Sequence, residues 1–525
     1  MHARLRFVAT AAFVAVLAFA LAGCAWVVRS SAIAPSLQGN GPSTNPALSA
    51  NGTFVAFQST ASNLVPGDTN GVSDIFVRDH VAKKIVRVSV ASGGAQANGP
   101  SFEPAISEDG RFVAFESDAT NLVPGDTNGV RDVFVHDFSA NTTVRASLNG
   151  GGVQGNGASF NPTVSANGNR VAFESDATNL VAADSNAVRD GFVRDFAAAT
   201  TTRVTVASGG AQANGPSFNM KINEFGIYVA FESDASNLVT SPAGAGDTNQ
   251  VRDVFFHDIG AVTTQRVSVQ TGGGQANGPS FDPSISSDAP FVAFDSNATN
   301  LAPGDTGGRD VFVHQRFTLV TTPITFKTTF SAVPSISMDQ RYVSFSSDDP
   351  TLVPGDTNGL RDVFVNDRQT GVTRRVSTDN MLHQANGASG LADISSDARY
   401  VAFESFATNL DPDQPDTNAV ADIYTRAAIP PTVTSVAPAS GAQGASVPVT
   451  ITGTGFRPGA DVIVTGNGVS AGSIVVVDDT TITATFTITA AAPLGARNVF
   501  VGNVGTGPGS TTGAGGMCTA CFTVT

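Results

Sequence analysis

SEDGRFVAFESDATNLVPGDTNGVRDVFVHD, residues 107–137, recurs with small changes seven times along this chain. The tripeptide V-A/S-F serves as a ruler. It starts at Val55, Val113, Val171, Val229, Val292, Val343 and Val401, so successive copies lie 58, 58, 58, 63, 51 and 58 residues apart. A fixed period of this size marks a repeat architecture in which each copy is one supersecondary unit. The quoted copy and its flanks hold four short apolar runs, 104–107, 111–117, 133–136 and 143–148, bounded by Gly, Pro, Asn and Asp. Their length and their wealth of Val, Phe and Thr predict strands. No amphipathic helical period of useful length follows residue 23.

The turn 107–110 is short enough to close a hairpin between the first two strands, with Asp109 at the bend and Gly110 after it. The second strand is apolar on both faces, Phe112 and Ala114 on one and Val113 and Phe115 on the other, which suits a sheet covered on both sides. In the fourth strand of the first copy Val86, Val88 and Val90 alternate with Arg87 and Ser89, predicting one wet face with Arg guarding an outer edge. Such four-stranded antiparallel units are propeller blades. Seven copies predict an all-β, seven-bladed β-propeller around a central channel.

The SxDGxxVAF hairpin followed by DVFVxD resembles the blade repeat of TolB-type, WD40-like propellers, from residue 45 to about 428. The family form has Pro directly after the Ser. Here it stands three residues before, as Pro46, Pro104, Pro162, Pro283 and Pro334, and the fourth copy has Met220 and Asn223 in place of Pro and Ser. The resemblance implies a binding propeller. TolB-type propellers also occur ahead of hydrolase domains, and none is expected in the sequence that follows here.

Residues 1–23 read as a targeting segment: Arg4 and Arg6 precede an apolar run, 7–21, too short for a convincing membrane span. Its end, Leu21-Ala22-Gly23-Cys24, resembles a bacterial lipobox and implies lipidation of Cys24; ordinary cleavage after Ala22 is the rival. Either way the protein leaves the cytoplasm. QGNGPS from Gln38 matches QANGPS from Gln96, and aligned backward Arg29 falls where Arg87 stands. The last repeat ends at Arg426 without a fourth strand of its own. Residues 27–33 are therefore expected to complete the seventh blade of a propeller spanning 24–428, a disordered tether being the alternative. Distortion is expected at the insertion from Thr240 and at 317–330, where Pro323 replaces the usual pattern.

Residues 429–431, with the pair Pro430-Pro431, form a linker. Beyond it, 432–525 alternates short Val/Thr strands with Gly turns, which predicts a β-sandwich. The P-A-S-G and V-T-I-T-G-T-G-F runs resemble the IPT/TIG immunoglobulin-like domain, a contact or spacer module. Cys518 and Cys521 are a lone CxxC, expected to form a disulfide in an exported chain rather than hold zinc, which wants four ligands.

The net charge of −15 argues against nucleic acid and anionic lipid as direct partners, so contact with the membrane is expected only through the lipid anchor. Phe is abundant at 35 and fits core positions. One Trp and four Tyr leave few aromatics for a sugar-stacking surface.

Antiparallel order puts the second-to-third-strand loop, NLVPGDTNGVRD, and the loop to the next blade, GGAQANGPS, on one face. Asp126, Asn128 and Asp132 stand at positions 1, 3 and 7 of a Gly-containing loop, a pattern calcium uses. The matching sets are Asp68, Asn70, Asp74; Asp184, Asn186, Asp190; Asp247, Asn249, Asp253; Asp356, Asn358, Asp362; and Asp416, Asn418, Asp422. The fifth copy breaks the spacing, with Asp305 and Asp310. The competing reading is structural: side chains bonding their own turns, and Arg131 pairing locally. No certain cofactor follows. His136, His257 and His314 share a position held elsewhere by Arg78, Arg194, Asn366 or Thr425, which predicts a solvent-facing strand residue. No GxSxG, HExxH or phosphate loop is present, and Glu116, Glu174, Glu232 and Glu404 recur too often to single out an acid/base pair. The expected role is a monomeric, non-catalytic binding or scaffolding protein of the bacterial cell envelope, using the loop face on a protein or envelope component. An envelope glycan-acting enzyme with acids in the channel and a calcium-rigidified spacer are the alternatives.

Overall fold

The computed structural model describes residues 27–34, 37–239, 246–326, 330–379, 382–411, 416–428, 431–456, 459–502 and 515–525. The leader, Cys24, the insertion at 240–245 and most of the linker lie outside them. Among the described residues there is no helix, and so none long and apolar enough to cross a membrane. The chain divides into two compact units, one of Arg29–Ala428 and one that includes Ile429–Thr525.

The first unit holds seven four-stranded antiparallel sheets; six are built from four consecutive strands, and the seventh takes its outer strand from the start of the described chain. In the second blade they are Ser101–Ile106, Phe112–Ser117, Asp132–Asp137 and Thr142–Arg145. The first strand of each blade packs on that of the next, and Ser389–Ile394 of the seventh packs on Ser43–Leu48 of the first. The ring is closed, and all seven first strands line one central channel. The turn 107–110 is the expected hairpin, its Gly110 at φ 76°, where a Cβ would strike the Phe54 ring of the preceding blade.

No blade has a core of its own. Val113, Phe115 and Phe134 of the second blade form one buried cluster with Ala56, Ile75, Val77 and Val88 of the first. Within each blade the second- and third-strand aromatics face one another, as Phe115 and Phe134 do at 6.0 Å between ring centroids. Each sheet is therefore apolar on both faces because both faces are covered by sister sheets.

One irregularity repeats seven times. In each first strand the residue two before the position held by Ala47, Ala105, Thr163, Lys221, Ser284, Ser335 or Asp393 has a left-handed backbone: Asn45, Glu103, Asn161, Asn219, Asp282, Val333 and Leu391, with φ between 44° and 56°. The pairing to the second strand slips there, as between Phe102 and Ala105. A bulge of this kind re-aims a side chain, here toward the channel rim.

Val27–Arg29 is the outer strand of the seventh sheet, beside Asp422–Ala427. The division between the units falls inside this strand, and its hydrogen-bonded neighbour assigns it to the propeller. Arg29 lies 3.3 Å from Asp422, Ser31 Oγ donates to Asp422 at 2.7 Å, and Ser30 N–H donates to the Ile423 carbonyl at 2.7 Å. Further on, Asn418 donates to the Gly39 carbonyl at 2.7 Å. These contacts copy those of Arg87, Ser89 and Ala97 with Asp74 and Asn70 in the first blade.

The fourth strand differs from its expected pattern. It is short, Lys84–Arg87, and it has no wet face at Ser89, which is fully buried against Asp74. Arg87 turns to Asp68 and Asp74 rather than guarding an edge. In the fifth blade Val320–Pro323 still forms this strand, because the Pro sits at its end.

The second unit is a sandwich of two four-stranded sheets. Val449, Ile451, Ile482 and Phe486 of one face Val499, Val501 and Phe522 of the other in a single core. Cys518 and Cys521 form a disulfide within the strand Gly515–Val524, with Cα atoms 5.8 Å apart.

Arg29→Ala would leave the Asp422 carboxylate buried without its guanidinium. Unfolding of the propeller should then cost about 3–5 kcal/mol less, read as a lower denaturant midpoint. An unchanged midpoint would mean that the seventh blade does not depend on the chain's beginning.

Candidate functional site

The proposed calcium positions come together, but around a guanidinium. Arg145, from the fourth strand, lies 3.1 Å from Asp126 and 3.4 Å from Asp132. Arg87, Arg203 and Arg375 bridge the pairs Asp68/Asp74, Asp184/Asp190 and Asp356/Asp362 in the same way. Arg266 pairs with Asp253 at 3.4 Å, and Asp247 accepts from Gln275. The Asn of each set presents its amide nitrogen: Asn128 donates to Asp132 at 2.9 Å and to the Gly155 carbonyl. Donors thus converge where a cation would need oxygens, so this arrangement does not fit calcium. The fifth blade supports the pairing by its loss: Pro323 takes the Arg register position opposite Phe312, in the copy whose acid spacing is broken.

The Asp that opens each third strand is fully buried in every blade. Burial pushes Asp253 and Asp422 up to about 6, against the lowering pull of their hydroxyl and Arg partners. The two loop types expected on one face are joined there. Gln96 donates to Asp68 at 2.8 Å, and the Asn98 loop bonds Thr120 and Asn121 of the next blade. Much of this face is spent on holding itself together.

The three histidines are a correction. His136, His257 and His314 are 1–2% exposed, not solvent-facing. His136 Nδ1 lies 2.9 Å from Thr143 Oγ1, which donates to the Val90 carbonyl of the preceding blade. Arg78 and Arg194 serve the same seam by donating to the Ala32 and Asn149 carbonyls. Pairing with Val401 places Arg426, not Thr425, at this position of the seventh blade. Desolvation lowers the three histidines to about 4.

Two features escaped the sequence reading. The first is the lining of the expected channel, a cavity of about 360 Å³. Its rim carries the seven left-handed residues, five polar and two apolar. Below them stand Ala47, Ala105, Thr163, Lys221, Ser284, Ser335 and Asp393. Thr163, Ser284, Ser335 and Asp393 each accept a backbone N–H from the following blade. Lys221 cannot accept, and it is the one cation among the described lining residues. The channel acids are engaged: Glu103 with Asn45, Asp282 with Asn219 and Arg309, Asp393 with Ser335 and Leu48 N–H. Glu103 reaches solvent, yet desolvation at the narrow rim and its neighbour Glu116 raise its pKa.

The second is a belt of alternating rings and guanidinium groups. Arg131 lies 4.4 Å over Phe102 and 5.9 Å from Phe160; Arg189 follows over Phe160, Arg252 over Phe218, Arg309 over Phe281 and Arg361 over Phe330. Arg131 does not pair with adjacent Asp132 but with Glu116 and Asp118, at 2.6 and 2.8 Å. The signal in the sequence was the joint recurrence of Phe, Glu, Asp and Arg at fixed offsets.

No family model and no curated protein matches this chain. Solved structures do. An oligogalacturonate lyase in complex with manganese is 11% identical with a TM-score of 0.47, over 78% of this chain and 94% of that one. A putative TolB from Agrobacterium tumefaciens is 14% identical with a TM-score of 0.35, over 66% and 94%. TolB from Acinetobacter baumannii is 9% identical with a TM-score of 0.32, over 71% and 79%. These likenesses carry nothing about activity.

Two outcomes are expected. Calcium or a chelator should leave the melting temperature unmoved; a rise with calcium would mean that the ion displaces the arginines. By NMR the imidazoles of His136, His257 and His314 should stay neutral down to about pH 4. The unfolded chain takes up those protons near pH 6.5, so their contribution to stability is complete above that pH and is lost as pH falls toward 4. Titration of the three near 6.5 would contradict the burial.

Proposed function

We propose that this chain is an exported, non-catalytic binding or scaffolding protein of the bacterial cell envelope, tethered by a lipid on Cys24. It meets a protein or envelope component across the loop face at the channel mouth. The single observation that carries this reading is where the repeats differ. The strand cores, Asp loops and inter-blade seams are nearly the same seven times over, whereas the channel wall runs from Ala47 to Lys221 to Asp393. A surface individualised blade by blade suits recognition of one asymmetric ligand. The cavity admits a side chain or chain end rather than a folded domain. The engaged state of Glu103, Asp282 and Asp393 favours binding over proton transfer. The C-terminal sandwich, an IPT/TIG-like module, acts as a spacer or second contact.

A benzoylphenylalanine photocrosslinker at Lys221 should capture a defined envelope component in intact cells, whereas the same probe at Val144, exposed on an outer strand, should not. Equal capture at both sites, or none at either, contradicts the reading. Cleavage of envelope glycan by the purified chain, abolished in Asp282→Asn, would favour the enzyme instead. Cys24→Ser should release the protein from the membrane fraction.

A further inference from the structure

Blades two to six each set an arginine on the loop face over the end of the second strand. In blade two Arg131 joins Glu116 and Asp118 and lies over Phe102. Blades three and four repeat the set with Arg189 and Arg252. Beneath these guanidinium groups Glu116, Glu174 and Glu232 are 1–3% exposed.

The first blade gives up the whole set together: Gln58, Thr60, Ser73 and Thr44 stand at the four positions. The seventh does not. Its Arg position is Ala421, its Asp position Phe406 and its ring position Gly390, yet it keeps the acid, Glu404. The register is the same, Glu404 opposite Ile423 as Glu116 is opposite Val133. Without a guanidinium lid Glu404 is only half-buried, and Phe406 is 53% exposed. Glu404 caps the Asn45 N–H of the next blade, as Glu116 caps that of Asn161. In blade two the other Glu116 oxygen takes Arg131. Rim residues Val333 and Leu391 make the neighbouring arc apolar. Burial pushes the Glu404 carboxyl upward, as nearby Glu103 also does, against the pull of the Asn45 N–H and of Arg361.

We propose that this gap in the belt is a docking point for an arginine of a partner polypeptide, flanked by an aliphatic residue that packs on Phe406 and Leu391. The proposal rests on the loop-face reading above and names the chemistry of the partner. Charge complementarity within the chain supports this: its own repeats seat a guanidinium of the same blade on this acid, and here that position is Ala421, so only Arg361 of the preceding blade acts on Glu404. Arginine fits better than lysine because its planar fork serves a carboxylate and stacks on a ring at once. The chain's net charge of −15 also draws a basic segment.

The test is fluorescence anisotropy of a labelled acetyl-Gly-Leu-Arg-Leu-Gly amide against the full chain, beside the same peptide with neutral citrulline for arginine. The arginine peptide should bind at least about tenfold more tightly. Glu404→Gln should erase that preference. Ala421→Arg, which supplies the missing guanidinium within the chain, should block the peptide and raise the melting temperature. Equal binding of the two peptides, no binding of the arginine peptide, or undiminished binding by a folded Ala421→Arg protein would overturn the inference. If crosslinking at Lys221 succeeds while the peptides fail, only this inference falls; if both fail, the loop-face reading falls with it.

Discussion

Each blade is organised by one buried carboxylate, that of the Asp opening its third strand. Placing an ion there costs several kcal/mol unless donors surround it. A hydroxyl two residues past the end of the fourth strand donates in all seven blades: Ser89, Ser147, Thr205, Ser268, Thr325, Ser377 and Ser31. The Asn of the preceding loop and the Arg of the fourth strand complete most of the sets. Loop, third strand and fourth strand are thereby fixed to one another. The same demand explains why the seventh blade reaches back to Ser31 and Arg29, since its own third strand is followed by no hydroxyl and no Arg strand of its own.

The ring follows from a second constraint. Because each hydrophobic cluster is shared by two neighbouring sheets, a lone blade has nothing to fold around, and an open ring would expose one full apolar face. Closure covers that face. It also consumes much of the loop face, where Gln, Asn and Asp of adjacent blades satisfy each other. Apart from these contacts stand the wall of the channel and the sector where the belt of rings and guanidinium groups is interrupted, the surfaces on which the proposed recognition rests.

The period, the hairpin and the strand types were legible because they are local: turn chemistry and apolar alternation recur within about thirty residues. The contribution of the N-terminus was legible too, since Arg29 and Gln38 keep their offsets from the repeat. The seams between blades were not. His136 exchanges with Arg at its repeat position, which reads as exposure along one strand. The seam buries both, because either one can serve the preceding blade, by bonding its carbonyls or by backing the Thr that does. Arg131 misled in the same way: adjacency to Asp132 says little where neighbours in a strand point to opposite faces. The role of Phe330, standing in for the ring that Ala332 lacks, depends on a backbone path that no pattern encodes. The joint change of Gly390, Phe406 and Ala421 was visible, but it acquires meaning only once the belt is known.

Hydrogen exchange followed by mass spectrometry tests the account most directly. If the chain's beginning is an integral strand of the last blade, amides of Val27–Arg29 and of Asp422–Ala427 should be protected together, and should be lost in one step with the blades on either side. Rapid exchange at Val27–Arg29 while Thr142–Arg145, the sister strand of the second blade, stays protected would contradict it.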